Sequence, residues 1–229
     1  MKDNKKHKKA EYGILITGLI ILLAVACIIA LCAGQYSVSV PEVTKILASR
    51  FVNVTKTWSN TAEGVVFTLR LPRIIGAVLV GSALSLSGAA YQGVFKNPLV
   101  APDLLGVSSG ACVGASVAIL LHLNSFGVQA MAFVAGILAV GLTLFIPRLI
   151  KNTNMTMLVL SGIIVKGIMD SVMGIIKYVA DPETELQSIT YWQLGSLTKV
   201  LPKDLFTVGP VIVAASVLSL IHISEPTRP

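Results

Sequence analysis

With 229 residues, 54% of them hydrophobic and 13% charged, the chain carries far less charge than a soluble domain, for which about a quarter is usual. An ordinary soluble domain is excluded, and an integral membrane protein is the class that remains. The net charge of +7 would otherwise point to nucleic acid, but Lys2, Lys5, Lys6, Lys8 and Lys9 stand just before an uncharged apolar run, the arrangement that anchors a cytoplasmic N-terminus under the positive-inside rule.

Residues 1–13 are therefore a basic cytoplasmic tail, and Ile14–Ala33 is the first span, twenty uncharged residues matching a hydrocarbon core of about 30 Å. Ala24-Val25-Ala26-Cys27 imitates a signal-peptide cleavage or lipidation site, but the apolar run continues beyond it. Residues 34–71 form an external loop. Within it Ser39-Val40-Pro41-Glu42 has capping-box spacing, and Val43, Ile46 and Leu47 repeat at i, i+3, i+4, predicting a short amphipathic helix at the outer face. Residues 51–68 show no period and read as loop, with Trp58 placed to anchor at the membrane interface.

The second span starts near Pro72, tolerated in a first helical turn, and runs to about Phe95. Gly81, Ser85 and Gly88 continue into Gln92 as one stripe. The three small residues predict close helix packing, which in lipid is driven by contact and not by the hydrophobic effect; the Gln92 amide needs partners and is a candidate for a translocation path. Asn97 and Pro98 end the span on the cytoplasmic side, with Asn97 extended or in a turn. The third span begins at Pro102 and Asp103, a proline and a carboxylate both favourable in a first turn, and continues through Gly106, Ser108, Ser109 and Gly110 to about Leu121.

A fourth span covers about 127–146 and stops before Pro147, Arg148 and Lys151. The fifth, about 157–179, holds Lys166 and Asp170 four residues apart on one face. Intramembrane charges are costly unless paired or wet, so these two either pair with each other or line a path. Lys177 is close enough to the end to snorkel. Residues 180–204 form an acidic external loop with Tyr191-Trp192 suited to the interface, and the sixth span covers about 205–221. The fold class is an all-α, polytopic membrane helix bundle.

Cys27, Cys32 and Cys112 lie in apolar surroundings without CxxC pairing, and the three histidines are scattered, so neither a disulfide framework nor a metal site is predicted. No G-x-x-x-x-G-K-[ST] loop, zincin motif or nucleophile elbow is present. The chain carries no catalytic residues and binds no cofactor.

The segment Leu69-Arg70-Leu71-Pro72-Arg73, the small-residue helix, Gln92, and Asn97-Pro98-Leu99 through Leu104-Leu105-Gly106-Val107-Ser108-Ser109-Gly110-Ala111 resembles the signature of the membrane permeases of ABC importers for iron siderophores, haem and cobalamin. Weaker resemblance extends over Cys32-Ala33-Gly34, Leu160-Ser161-Gly162 and Tyr191-Trp192-Gln193-Leu194-Gly195. It implies a permease subunit in the bacterial cytoplasmic membrane that pairs with a second permease, copy or sister. Cytoplasmic ATPase subunits use the ATP, and an extracellular or periplasmic binding protein delivers the chelate. Arg70 and Arg73 would dock that binding protein. The family has about ten spans, against six here; the resemblance therefore predicts a C-terminally truncated chain, and residues 222–229 read as a non-native tail. An ion-coupled transporter or channel using Lys166 and Asp170, and a nonfunctional permease fragment, are the alternative expectations.

Overall fold

A computed structural model of the chain describes residues 2–98, 100–152 and 154–224. The regular secondary structure of the described residues is all helical, in the order α1 Lys2–Cys32, α2 Val40–Ala48, α3 Asn60–Gly64, a π-helical turn Val65–Arg70, α4 Leu71–Phe95, a 3-10 turn Pro102–Leu105, α5 Val107–Leu120, α6 Ser125–Leu149, α7 Met155–Val179, α8 Glu185–Leu194 and α9 Pro202–Ser224. Among the described residues, five helical stretches are long and apolar enough to cross a membrane: Glu11–Cys32, Asn60–Phe95, α6, α7 and Pro202–Ile221. The third predicted span is the exception and is shorter than expected. Its helix α5 has 14 residues, about 21 Å at 1.5 Å per residue, because Gly106 adopts a left-handed φ of 73° and separates it from the 3-10 turn.

The chain divides into two units. One comprises the residues up to Val80 together with Leu197–Val213, the other Gly81–Ser196 together with the end of α9 from Ala214.

In the first unit the amphipathic α2 forms where its spacing predicts. The Glu42 carboxylate accepts both the Ser39 N–H (3.3 Å) and the Ser39 hydroxyl (3.1 Å), fixing the start of the helix. Its apolar face does not lie free at an outer surface. Val43 and Ile46 are buried against Leu31, Val38, Trp58, Ala62 and Val66. Trp58 is thus a core residue and not an interface anchor; it is 7% exposed, and its indole N–H donates to Glu63 Oε2 at 3.3 Å, giving the polar edge of a buried ring its partner.

The predicted loop 51–68 contains helix from Asn60, capped by the Ser59 hydroxyl, which accepts the Ala62 N–H. From there helix continues to Phe95. The Val65–Arg70 stretch gave no 3.6 period because it is a π-turn, closed by a bond from the Leu71 N–H to the Val66 carbonyl. Pro72 therefore lies inside a continuous helix and not at its start, and a widened turn just ahead of it is where a helix tolerates a missing donor. Beside α4, α9 lines an apolar cavity of about 150 Å³ with Gly76, Leu79 and Val80 on one wall and Val200, Val208 and Ile212 on the other.

The second unit is built on close helix packing. A Cβ on Gly110 would come within 2.5 Å of Ala139 Cβ, and one on Gly114 within 2.5 Å of Ala135 Cβ, so α5 and α6 approach at backbone distance through paired small residues. Pro147, the predicted stop, sits within the last turn of α6, which runs on to Leu149. The predicted loop 180–204 contains α8, whose buried Ile189 packs with Met173, Ile176 and Ala180. Its start is set by Asp181, which accepts the N–H groups of Glu183 (2.9 Å) and Thr184 (3.0 Å); those bonds, led by the Thr184 hydroxyl, hold the Asp181 carboxyl below the usual carboxylate range. Helix α9 extends to Ser224, into the segment predicted as a non-native tail, and residues 225–229 of that tail lie outside the described residues.

Candidate functional site

Two clusters gather the signature residues, one in each unit. The first is built around Arg70 and the second around the turn between α4 and α5.

Arg70, at the end of the π-turn, is 9% exposed. Its Nη1 donates to the carbonyls of Leu31 (2.6 Å) and Cys32 (3.1 Å), and its Nη2 to the carbonyl of Tyr36. These carbonyls close α1 and the bend that follows it. A side chain so occupied differs from the exposed docking cation expected of it. Arg73, one turn on, is half-buried, and its Nε is a buried nitrogen without a hydrogen-bond partner. Arg50 stacks its guanidinium 4.6 Å from the centre of the Phe67 ring, which engages one of the cations of this basic segment in a cation–π contact.

The second cluster starts where α4 ends. Lys96 takes a positive φ of 47°, and the Asn97 N–H reaches back to the Gln92 carbonyl at 3.3 Å, so Asn97 leaves the helix in a turn as Pro98 requires. Leu99 lies outside the described residues. After Pro102 the chain makes the 3-10 turn and is gripped from two helices. The Thr143 hydroxyl on α6, fully buried, donates to the Leu105 carbonyl at 3.0 Å. On α7, Gly162 lies so close that a Cβ there would collide with the Leu104 carbonyl oxygen. Gly106, with its left-handed φ, packs against the α7 backbone at Lys166, and its carbonyl accepts the Gly110 N–H at 3.0 Å, opening α5.

Charge completes the grip. Lys166 Nζ lies 3.1 Å from Asp103 Oδ2. Of the two expectations for Lys166 and Asp170, a mutual pair or a path lining, the mutual pair is not formed. The turn brings Asp103 to Lys166 across 63 residues of sequence, whereas Asp170 stands exposed one helical turn along α7 with no ion-pair partner among the described residues. Lys177, expected to snorkel, donates to Gln193 Oε1 on α8 at 2.5 Å.

The chain matches the model of the FecCD transport family over residues 22–226. The chain belongs to the FecCD transport family. It is 33% identical over 209 residues to the molybdate import system permease MolB of Haemophilus influenzae, covering 91% of this chain and 61% of that protein. It is 36% identical over 167 residues to the cobalamin import system permease BtuC of Halobacterium salinarum, covering 72% of this chain and 45% of that one. A solved inward-facing conformation assigned to a metal-chelate type ABC transporter superposes with a TM-score of 0.76 at 29% identity, over 90% of this chain and 61% of that chain. The chain thus spans less than two thirds of the length of each of these relatives.

Within this FecCD chain the remaining predicted residues are scattered. Gln92 is exposed at the end of α4. Gly81 and Gly88 have nothing within 4 Å of a built Cβ, and the Ser85 hydroxyl is turned back onto the Gly81 carbonyl at 2.8 Å, so the stripe expected to pack a helix meets none among the described residues. Ser109 is half-buried, and Gly110 is buried. Thr143 was not singled out from the sequence; a lone hydroxyl in an apolar helix was its only signal. Gly34 and Gly162 lay within the weaker matches and gain their meaning only from what they touch.

Proposed function

We propose that this chain is the membrane permease of an ATP-driven importer for a metal chelate. The observation that supports it best is the family match running from the first span to the last, with the signature turn held as one clasped element between α6 and α7. On this reading the protein sits in the bacterial cytoplasmic membrane with its N-terminus inside and pairs with a second permease, identical or sister. It carries the cargo between the two while separate cytoplasmic ATPases hydrolyse ATP. The chain supplies positions and surfaces and makes or breaks no covalent bond.

An external binding protein delivers the cargo, and Arg73 is the signature arginine whose charge is not already committed to backbone carbonyls. A rim charge of this kind governs encounter rate and its salt dependence more than final affinity. Gln92, Lys166 and Asp170 are the path candidates on α4 and α7.

Uptake of labelled ferric siderophore, haem, cobalamin and molybdate by cells with and without the gene tests the proposal. Loss of uptake of one chelate on deletion or on ATP depletion supports it, and uptake that survives ATP depletion but collapses with the proton gradient rejects it. The second outcome would favour an ion-coupled carrier, a reading supported by one observation, the exposed Asp170 on α7 without an ion-pair partner among the described residues. For Arg73, charge reversal is expected to slow binding-protein association and flatten its salt dependence; unchanged kinetics would remove it from the docking surface.

A further inference from the structure

We infer that Arg70 is an internal clasp that closes the end of α1, with Gly34 as its socket, so that the two arginines of Leu69–Arg73 have separate jobs. A helix leaves its last carbonyls without intrahelical partners, at the negative end of its macrodipole. The Leu31 and Cys32 carbonyls occupy that position in α1, and both accept from Arg70 Nη1. The Tyr36 carbonyl, beyond the bend, accepts from Nη2. One guanidinium thus joins the end of α1, the connection into α2 and the π-turn that leads into α4.

The second observation is independent of these bonds. Gly34 has a φ of 151°, and a Cβ there would lie 2.5 Å from Arg70 Nη2 and 3.2 Å from Arg70 Cζ. Both the conformation and the space require glycine. The atoms in the way belong to the guanidinium itself, so a side chain at 34 displaces the group that holds the three carbonyls. Three carbonyls accept from Arg70, and no carboxylate pairs with it among the described residues, a set that satisfies donors in place and leaves them unavailable to an external acid. A lysine would keep the charge but not the planar fork that spans separated acceptors. The inference depends on the docking reading only in what it leaves to Arg73.

The test is amide hydrogen exchange on the whole chain in lipid nanodiscs, following residues 33–48 in Arg70→Gln, Arg70→Lys, Gly34→Ala and Arg73→Gln. Local opening sets such rates, so Arg70→Gln and Gly34→Ala are each expected to speed exchange across this segment by about tenfold or more. The double variant should add little, Arg70→Lys should fall between, and Arg73→Gln should match the unmodified chain. If Arg70→Gln does not fold, Gly34→Ala decides, because it alters no charge. Normal exchange in Gly34→Ala, or equal loosening by Arg73→Gln, overturns the clasp. Neither readout involves transport, so a failed clasp and a failed importer reading are separate results.

Discussion

Lys166 and Asp103 meet at 3.1 Å, joining α7 to the turn that precedes α5. Each side chain is roughly half exposed, 46% and 48%; in water such a pair would contribute about 0–1 kcal/mol. In a bilayer the reference changes, because an isolated charge at mid-helix costs about 2.5–3.5 kcal/mol on insertion scales. Lys166→Met or Asp103→Asn alone should therefore cost more than the two together, with a coupling of about 1 kcal/mol or more between them. Thermal unfolding of the four chains in nanodiscs measures this cycle. Additive losses would mean that the two charges act independently.

The neutral contacts of the same turn should matter as much. Thr143→Val leaves the buried Leu105 carbonyl without its donor, at a cost of about 1–3 kcal/mol. Gly162→Ala forces a methyl group onto the Leu104 carbonyl oxygen, and overpacking of this kind costs about 1–3 kcal/mol. Chemical denaturation in detergent gives both values, and a Gly162→Ala chain of unchanged stability would show that the turn can withdraw from α7.

Glycines that look alike in sequence should separate by substitution. Gly110→Leu and Gly114→Leu should abolish the α5–α6 contact and with it the folded second unit, since each Cβ would already overlap an alanine across the interface. Gly81→Leu and Gly88→Leu meet open space, so for this chain alone each should stay within about 0.5 kcal/mol of the starting stability. Near-ultraviolet circular dichroism and melting curves distinguish the two classes. A loss at Gly81 as large as that at Gly114 would mean that α4 is packed in a way the present arrangement lacks.

This contrast marks the limit of what the residues alone convey. The apolar stretches and the α2 cap follow from local periodicity and capping chemistry, and α2, α4 and α7 occur close to where those rules put them. Helix from Asn60 to Arg70 was hidden because α3 is only five residues long and the π-turn after it does not repeat at 3.6 residues, and α8 because Asp181 starts it inside an acidic, weakly periodic segment. Pairings were hidden for a different reason. Lys166 and Asp170 are neighbours along one helix, and only the path of the turn back across α7 brings Asp103 closer to the ammonium. Arg70 likewise reads as a surface cation until the bend at Gly34 places three carbonyls around it.

Asp181 offers a test of pH dependence outside the spans. Its carboxyl titrates below the ordinary carboxylate value because the charged form accepts the Thr184 hydroxyl and the Glu183 and Thr184 N–H groups. A depressed folded-state pKa means that the stabilisation is fully present above the unfolded-state value and is lost as pH falls through the folded-state value. The start of α8 should thus hold at neutral pH and loosen only below about pH 4, where the unfolded carboxyl titrates. Exchange of the Glu183 and Thr184 amides, corrected for intrinsic rates, should rise in that range. Asp181→Asn keeps one acceptor but not the charge, so its exchange at neutral pH should already be raised and should no longer respond to acid. An acid response that persists in Asp181→Asn would assign the effect to another group, with the neighbouring Glu185, whose carboxylate accepts the residue-181 N–H at 3.0 Å, the first to examine.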